Sequence, residues 1–133
     1  MDAGPALVSI LRQGDFLIAS IHTALDDSQM VRFQHDLIDQ VGQHRSRGVI
    51  IDVAALDVID SFATSTLRNL AEMARLRGAR TVIVGIQPEV AFAMVELGMD
   101  TGRVETALDL EEGLQRLAGG AGSPSARSRS AGA

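Results

Sequence analysis

Cysteine, lysine, tryptophan and tyrosine are absent from this chain, and phenylalanine occurs only four times. Without cysteine there is no disulfide framework, no thiolate metal site and no cysteine nucleophile, a composition that suits a reducing cytoplasm. Without lysine there is no Gly-x-x-x-x-Gly-Lys-Ser/Thr phosphate loop, and no Gly-x-Gly-x-x-Gly follows a strand pattern. So few aromatics leave little on which nucleic acid bases could stack. The longest apolar runs, such as Val90–Val95, fall far short of the roughly 20 residues that span a bilayer. The opening Met-Asp-Ala-Gly-Pro has no basic segment of the secretory kind. The expectation is a cytoplasmic protein that binds neither membrane nor nucleic acid.

What is present is a 133-residue chain, 46% hydrophobic, with a net charge of −5. That length favours one domain, and such a domain buries roughly two-thirds of the surface its unfolded chain exposes. All 12 basic residues are arginine, and the last two, Arg127 and Arg129, lie in a tail without acids. Residues 1–120 therefore carry −7, which suits a basic protein partner better than a polyanion.

The order of elements points to an α/β fold. Leu7–Arg12 and Phe16–Ile21 read as strands joined through Gln13-Gly14-Asp15 in a tight hairpin. Asp26, Asp27 and Ser28 suit a helix start. Val31, Leu37, Ile38 and Val41, with Met30 and Phe33, then give an amphipathic helix to about His44. Val49–Val53 is a continuous apolar run, as in a strand covered on both faces. A second helix is expected from Ser61 to about Arg77, with Ala63, Leu67, Leu70, Ala71 and Ala74 as its apolar stripe and Gly78 ending it. Arg80–Gly85 reads as a buried strand. Gln87-Pro88 opens a third helix with Ala91, Met94 and Val95 inward, closed by Gly98. Arg103–Leu108 gives a short last strand, and Asp109 caps a helix over Leu110–Leu117. Alternation of this kind implies a mixed, mostly parallel sheet with an antiparallel hairpin at one side and four helices packed against it. Residues 1–6 form a leader, 7–117 the domain, and 118–133 a Gly/Ala/Ser/Arg tail without apolar periodicity, expected to be disordered, in which Ser123, Ser125, Ser128 and Ser130 are open to modification.

Little in this frame supports catalysis. His22, His35 and His44 lack ligand spacing, so no metal is expected. Asp52 ends a strand as a receiver-domain phosphoacceptor does, but the acidic pair and the lysine of such a site are missing. It reads instead as a carboxylate that organises its loop by accepting backbone N–H bonds. Ser61 lies in Ile-Asp-Ser-Phe-Ala, without the glycines of a hydrolase elbow. Two roles remain for it: an N-cap, or a hydroxyl that accepts phosphate from a separate kinase. A helix N-terminus tolerates that phosphate, which adds roughly −1.5 to −2 charges beside Asp57 and Asp60. Ser61, Ser65, Arg68, Glu72 and Arg75 recur at helical spacing opposite the apolar stripe. Such a stripe is either a solvated face or a docking face.

Four stretches in order, Val49-Ile-Ile-Asp52, Ile59-Asp60-Ser61-Phe62, Val84-Gly-Ile-Gln-Pro88 and Glu96-Leu-Gly98, resemble the STAS domain family, the fold of anti-sigma-factor antagonists. Glu105–Glu111 and Glu112-Gly113-Leu114 extend the likeness, which covers about residues 7–117. More narrowly, the chain is similar to the small stressosome scaffolds of that family. The resemblance implies no catalysis and no cofactor. It implies that Ser61 is phosphorylated by a switch serine/threonine kinase of the histidine-kinase-like ATPase fold, with Asp57, Asp60, Phe62, Ser65, Arg68 and Glu72 forming the partner-binding surface. It also implies a homo-oligomer, a dimer, that co-assembles with a larger sensory STAS paralogue. The unphosphorylated assembly would hold the kinase and the phosphorylated one release it, regulating the general stress response. Ordinary antagonists usually show Asp-Ser-Ser-Gly where this chain has Asp60-Ser61-Phe62-Ala63, a departure that favours the scaffold type. Sensory paralogues carry a threonine acceptor in the helix after the Ile-x-Pro motif, whereas Pro88–Met99 holds neither serine nor threonine. With six residues before the domain in this sequence, no sensory domain is expected ahead of it. The Arg/Ser tail matches no part of the family pattern. Two alternatives stay open: a stand-alone anti-anti-sigma factor that binds an anti-sigma kinase, and a ligand-binding STAS regulatory module.

Overall fold

The computed structural model describes residues 6–99 and 104–119. Five strands, β1 (Val8–Gln13), β2 (Phe16–Ile21), β3 (Gly48–Asp52), β4 (Arg80–Val84) and β5 (Glu105–Ala107), form one sheet in that same order. β1 runs antiparallel to β2, and the other neighbours are parallel. The helices are α1 (Asp27–His44), α2 (Ser61–Leu76), α3 (Pro88–Glu96) and α4 (Leu110–Ala118). The expected mixed sheet with its opening hairpin and four helices is therefore present. The expectations for residues 1–5, for Arg103 and for the tail from residue 120 lie outside the described residues.

The hairpin closes with Gln13 opposite Phe16, so Gly14 and Asp15 alone make the turn, one residue shorter than the sequence suggests. Gly14 has φ +59°, the backbone that a glycine-first two-residue turn needs. α1 starts in a capping box, in which Asp26 accepts from the Gln29 N–H at 2.8 Å and Gln29 Oε1 accepts from the Asp26 N–H at 2.8 Å. The Gln29 N–H, and then the Ser28 hydroxyl, hold the Asp26 carboxyl below its usual range. α4 is capped by Asp109, which accepts from Glu112 N–H at 2.9 Å.

Alternation along the strands sends side chains to two separate layers. Leu17, Ala19, Ile21, Val49, Ile51, Val53 and Ile83 pack under α1, α2 and α3 with Phe33, Leu37, Leu67 and Leu70. Ile18, Ile50, Val82 and Val84 face the other way and meet α4 at Leu110, Leu114 and Leu117. Each fully buried Leu or Ile contributes about 1.5–3 kcal/mol by leaving water. α4 lies close on the sheet because residue 113 is glycine, since a Cβ there would come within 2.8 Å of Val84 Cγ1. Arg80 ties the same region together. Its Nη2 and Nε donate to Glu105 at 2.7 and 2.9 Å, and this pairing raises the guanidinium pKa further.

Three details differ from the sequence reading. Val31 is exposed, and α1 packs through Met30, Phe33, Leu37 and Val41. α3 turns Val90 inward beside the expected Met94, while Ala91 is exposed and Val95 is 67% exposed. α2 buries Thr64 and Thr66 besides the expected Leu67, Leu70, Ala71 and Ala74. Both threonines satisfy their hydroxyls by donating to backbone carbonyls four residues back, Thr64 to Asp60 at 2.9 Å and Thr66 to Phe62 at 2.8 Å.

Thr81 Oγ1 is buried without a hydrogen-bond partner among the described residues. A buried hydroxyl of that kind costs about 1–3 kcal/mol relative to a satisfied one. Thr81→Val, nearly isosteric, is expected to leave stability unchanged or raise it by about 1 kcal/mol in a denaturant titration. A loss of stability would mean that the hydroxyl is satisfied in solution.

Candidate functional site

The four parallel strands deliver their carboxyl ends, and with them the N-termini of all four helices, to one end of the molecule. The β3–α2 connection occupies the middle of that end. It is pinned by apolar side chains three residues apart: Val53 and Leu56 are buried and Ile59 is half-buried in the main core. Val53 N–H continues the ladder by donating to Val84 O at 3.0 Å, and Leu56 N–H donates back to Val53 O at 2.9 Å. The residues between the pins face solvent: Asp57, Val58 (63% exposed), Asp60, Ser61 and Phe62 (39% exposed).

Neighbouring residues hold this connection in place. Asp52 Oδ1 accepts from Ala54 N–H at 2.9 Å, the loop-organising role its position suggests. Gln87 Nε2 donates to Ala54 O at 2.8 Å, tying the β4–α3 turn to the β3–α2 turn. Gly85, at φ +80°, lies against Ala54, and a Cβ on it would come 2.8 Å from Ala54 Cβ and 3.1 Å from Ala54 N. Two members of Val84-Gly-Ile-Gln-Pro88 therefore act by supporting the loop that carries Ser61. Gly85 and Gln87 were visible as a motif in the sequence, but Ala54, their common partner, carried no signal there.

Asp60 is the N-cap of α2, with extended backbone (φ −106°, ψ 179°), and its Oδ1 accepts from Ala63 N–H at 2.8 Å. Ser61 is thus the first helical residue. Its hydroxyl is exposed and does not cap the helix, which corrects the reading of Ser61 as the cap. The first turn of a helix presents N–H groups without intrahelical partners and the positive end of its dipole. Added negative charge on Ser61 is therefore compatible with the local fold.

The rest of the α2 stripe is less uniform. Ser65, Arg68 and Glu72 are half-buried. Arg68 Nη1 donates to Gly98 O at 3.4 Å and so reaches the end of α3. Glu72 pairs with Arg75 at 3.2 Å. Asp57, Asp60, Ser61 and Phe62 form one exposed cluster on the loop and helix start, while Ser65, Arg68 and Glu72 continue it down the helix toward α3.

Charge is sorted along the sheet direction. At the same end of the molecule as Ser61 stand Asp26, Asp27, Asp52, Asp57, Asp60, Glu89, Asp109 and Glu111, and the segments that carry them, 22–28, 52–61, 85–91 and 107–111, contain no arginine. Arginines concentrate at the opposite end, where α1, α2 and α4 terminate, together with Asp15, Glu96 and the Arg80-paired Glu105. Among the described residues no group of three His, Cys, Asp or Glu side chains could hold a metal ion. Among them too, no helix is long and apolar enough to cross a membrane.

Comparison with known proteins places this geometry. The co-antagonist protein RsbRA of Bacillus subtilis, named for its action on RsbT, is 34% identical over 91 residues. The match takes in 68% of this chain and 33% of RsbRA, so the chain spans about a third of that relative's length. An RsbS of Moorella thermoacetica carrying a serine-to-glutamate substitution superposes with a TM-score of 0.78 at 33% identity, over 86% of this chain and 97% of the other. A chain from the molecular architecture of the stressosome, described as a signal integration and transduction hub, gives 0.71 at 30% identity, over 84% and 96%. The STAS domain family model matches residues 8–112, β1 to the start of α4. This chain belongs to the STAS domain family, and its likeness within it is to RsbS, RsbRA and a chain of the stressosome.

Proposed function

We propose that this chain is a non-catalytic phospho-switch scaffold. Unmodified, it docks a switch serine/threonine kinase of the histidine-kinase-like ATPase fold over Ser61. Phosphorylated on Ser61, it releases that kinase. It acts in the cytoplasm, as a homodimer assembled with sensory STAS paralogues, and needs no cofactor. Asp57, Asp60, Phe62, Ser65, Arg68 and Glu72 form the docking surface.

The observation that carries this reading is the position of Ser61. Asp60 takes the capping bond from Ala63 N–H, and Ser61 is left with an exposed hydroxyl on a loop pinned by Val53, Leu56 and Ile59. A kinase can reach that hydroxyl without unfolding the helix. Likeness over nearly the whole of an RsbS chain and a stressosome chain supports co-assembly, and RsbRA is by name a co-antagonist of RsbT.

The test is phosphate mapping. Incubated with its switch kinase and ATP, the chain is expected to take up one phosphate, which mass spectrometry places on Ser61, and Ser61→Ala is expected to take up none. Equal labelling of the Ser61→Ala chain would defeat the proposal. So would a phosphate confined to another residue.

A further inference from the structure

The end of the molecule opposite Ser61 carries a cluster of arginines. Arg45 follows the last turn of α1, Arg47 leads into β3, Arg77 follows α2, and Arg116 lies in the last turn of α4. A groove lined by Val41, Gly42, Ser46 and Gly78 brings Arg45, Arg47 and Arg77 together. All three are exposed, and among the described residues none of the three guanidiniums pairs with a carboxylate. The Arg77 guanidinium lies over Gly42, at the place a Cβ there would occupy.

Helix dipoles favour cations at these termini, but only by about 0.3–1 kcal/mol each, and they leave the charges facing water. The result is a protein of net charge −5 with a surplus of arginine at one end, where Asp15, Glu96 and Glu105 also lie, and carboxylates without arginine in the segments at the other.

We propose that the basic end binds the acidic end of a second copy of this chain, head to tail. The two surfaces differ, so the contact is heterologous and leaves a free acidic end and a free basic end to extend the assembly. Charge complementarity sets orientation and encounter rate at such a contact. The contact would cover part of the surface proposed for the kinase, Asp57 included, so a second copy and the kinase compete for the Ser61 end. Phosphate added there increases the charge that a neighbour's arginines meet.

The experiment is analytical ultracentrifugation of the full chain with two charge-reversed partners, Arg45→Glu/Arg77→Glu at the basic end and Asp57→Arg/Glu111→Arg at the acidic end. At about 10 mM ionic strength, where the Debye length is about 30 Å, wild type is expected to grow in mass with concentration. Near 1 M salt, where that length is about 3 Å, the growth should disappear. Each variant alone should associate at least about tenfold more weakly. An equimolar mixture of the two should recover growth, because both contacts then pair opposite charges. Circular dichroism melts check that both variants fold. A wild-type mass that ignores salt and concentration would overturn the proposal, as would a mixture no better than its components. Binding of single-stranded RNA by the basic end, with no self-association, would also overturn it and assign that end to nucleic acid.

Discussion

The Ser61→Glu chain is expected to melt slightly higher than wild type and to bind its kinase about ten- to hundredfold more weakly. The two effects have opposite signs because they have different origins. A carboxylate at the first helical position meets the positive end of the α2 dipole, worth about 0.3–1 kcal/mol, or a few degrees in melting temperature for a domain of this size. In the complex the same carboxylate would be buried beside the exposed Phe62 and Val58, where it loses hydration and finds no partner. Docking also lowers the local dielectric, so the new charge repels Asp57 and Asp60 more strongly than in the free protein. Together these terms amount to about 1.4–3 kcal/mol, which is ten- to hundredfold in affinity. Phosphate, with roughly twice the charge, should do more. Ser61→Ala, which adds neither charge nor bulk, should bind within about threefold of wild type. Calorimetric titration in low and high salt separates the two terms, because salt relieves the repulsion but not the lost hydration. A Ser61→Glu chain that binds as wild type does would remove Ser61 from the switch.

That prediction relies on a distinction the sequence left open. Asp60 and Ser61 are adjacent and both are good N-caps, so residue preference alone does not choose between them. The backbone decides. Asp60 is the residue held extended at the end of the loop, and pinning by Val53, Leu56 and Ile59 fixes where the helix can begin. Where a polar face existed to set the helical phase, the sequence was legible. α2 shows this, with Leu67, Leu70, Ala71 and Ala74 buried as expected. α3 shows the converse. Val-Ala-Phe-Ala-Met-Val is apolar throughout, so nothing marks which side is wet, and of the expected inward Ala91, Met94 and Val95 Met94 is buried, with Val90 in place of the other two. Phe92, at 74% exposure, is outward on the same helix. Thr64 and Thr66 were missed for another reason. A threonine counts as polar until its hydroxyl is seen bonded to the preceding turn, after which only its methyl faces the core. Gly113 carries no turn signal at all. Its reason is close approach across elements, which exists only after Val84 and Ile50 have been placed.

The largest loss of stability is expected at Gly85, far in sequence from Ser61 but directly beneath its loop. Gly85→Ala places an L residue at φ +80°, which costs about 1–2 kcal/mol in backbone strain alone. The new methyl would also come 2.8 Å from Ala54 Cβ and 3.1 Å from Ala54 N, and rigid backbone on that side cannot give way as a flexible side chain would. The summed cost is about 2–4 kcal/mol, large against the 5–15 kcal/mol that holds a domain together. Relief requires the two turns to part. That strains the Gln87 Nε2 to Ala54 O bond and the Gly85 N–H to Leu108 O bond at 3.2 Å, so the loop before Ser61 loosens along with the strand end. Ala54→Gly removes the methyl–methyl overlap but neither the backbone contact nor the strain. The double variant should therefore recover only part of the loss, with a coupling of about 0.5–2 kcal/mol in a double-mutant cycle of urea melts. Full recovery would show that side-chain overlap alone made Gly85 necessary. No coupling would show that the two turns move independently. Hydrogen exchange at Ala63 and Thr64, whose N–H groups bond to Asp60, should quicken in Gly85→Ala if the β4–α3 turn positions the start of α2.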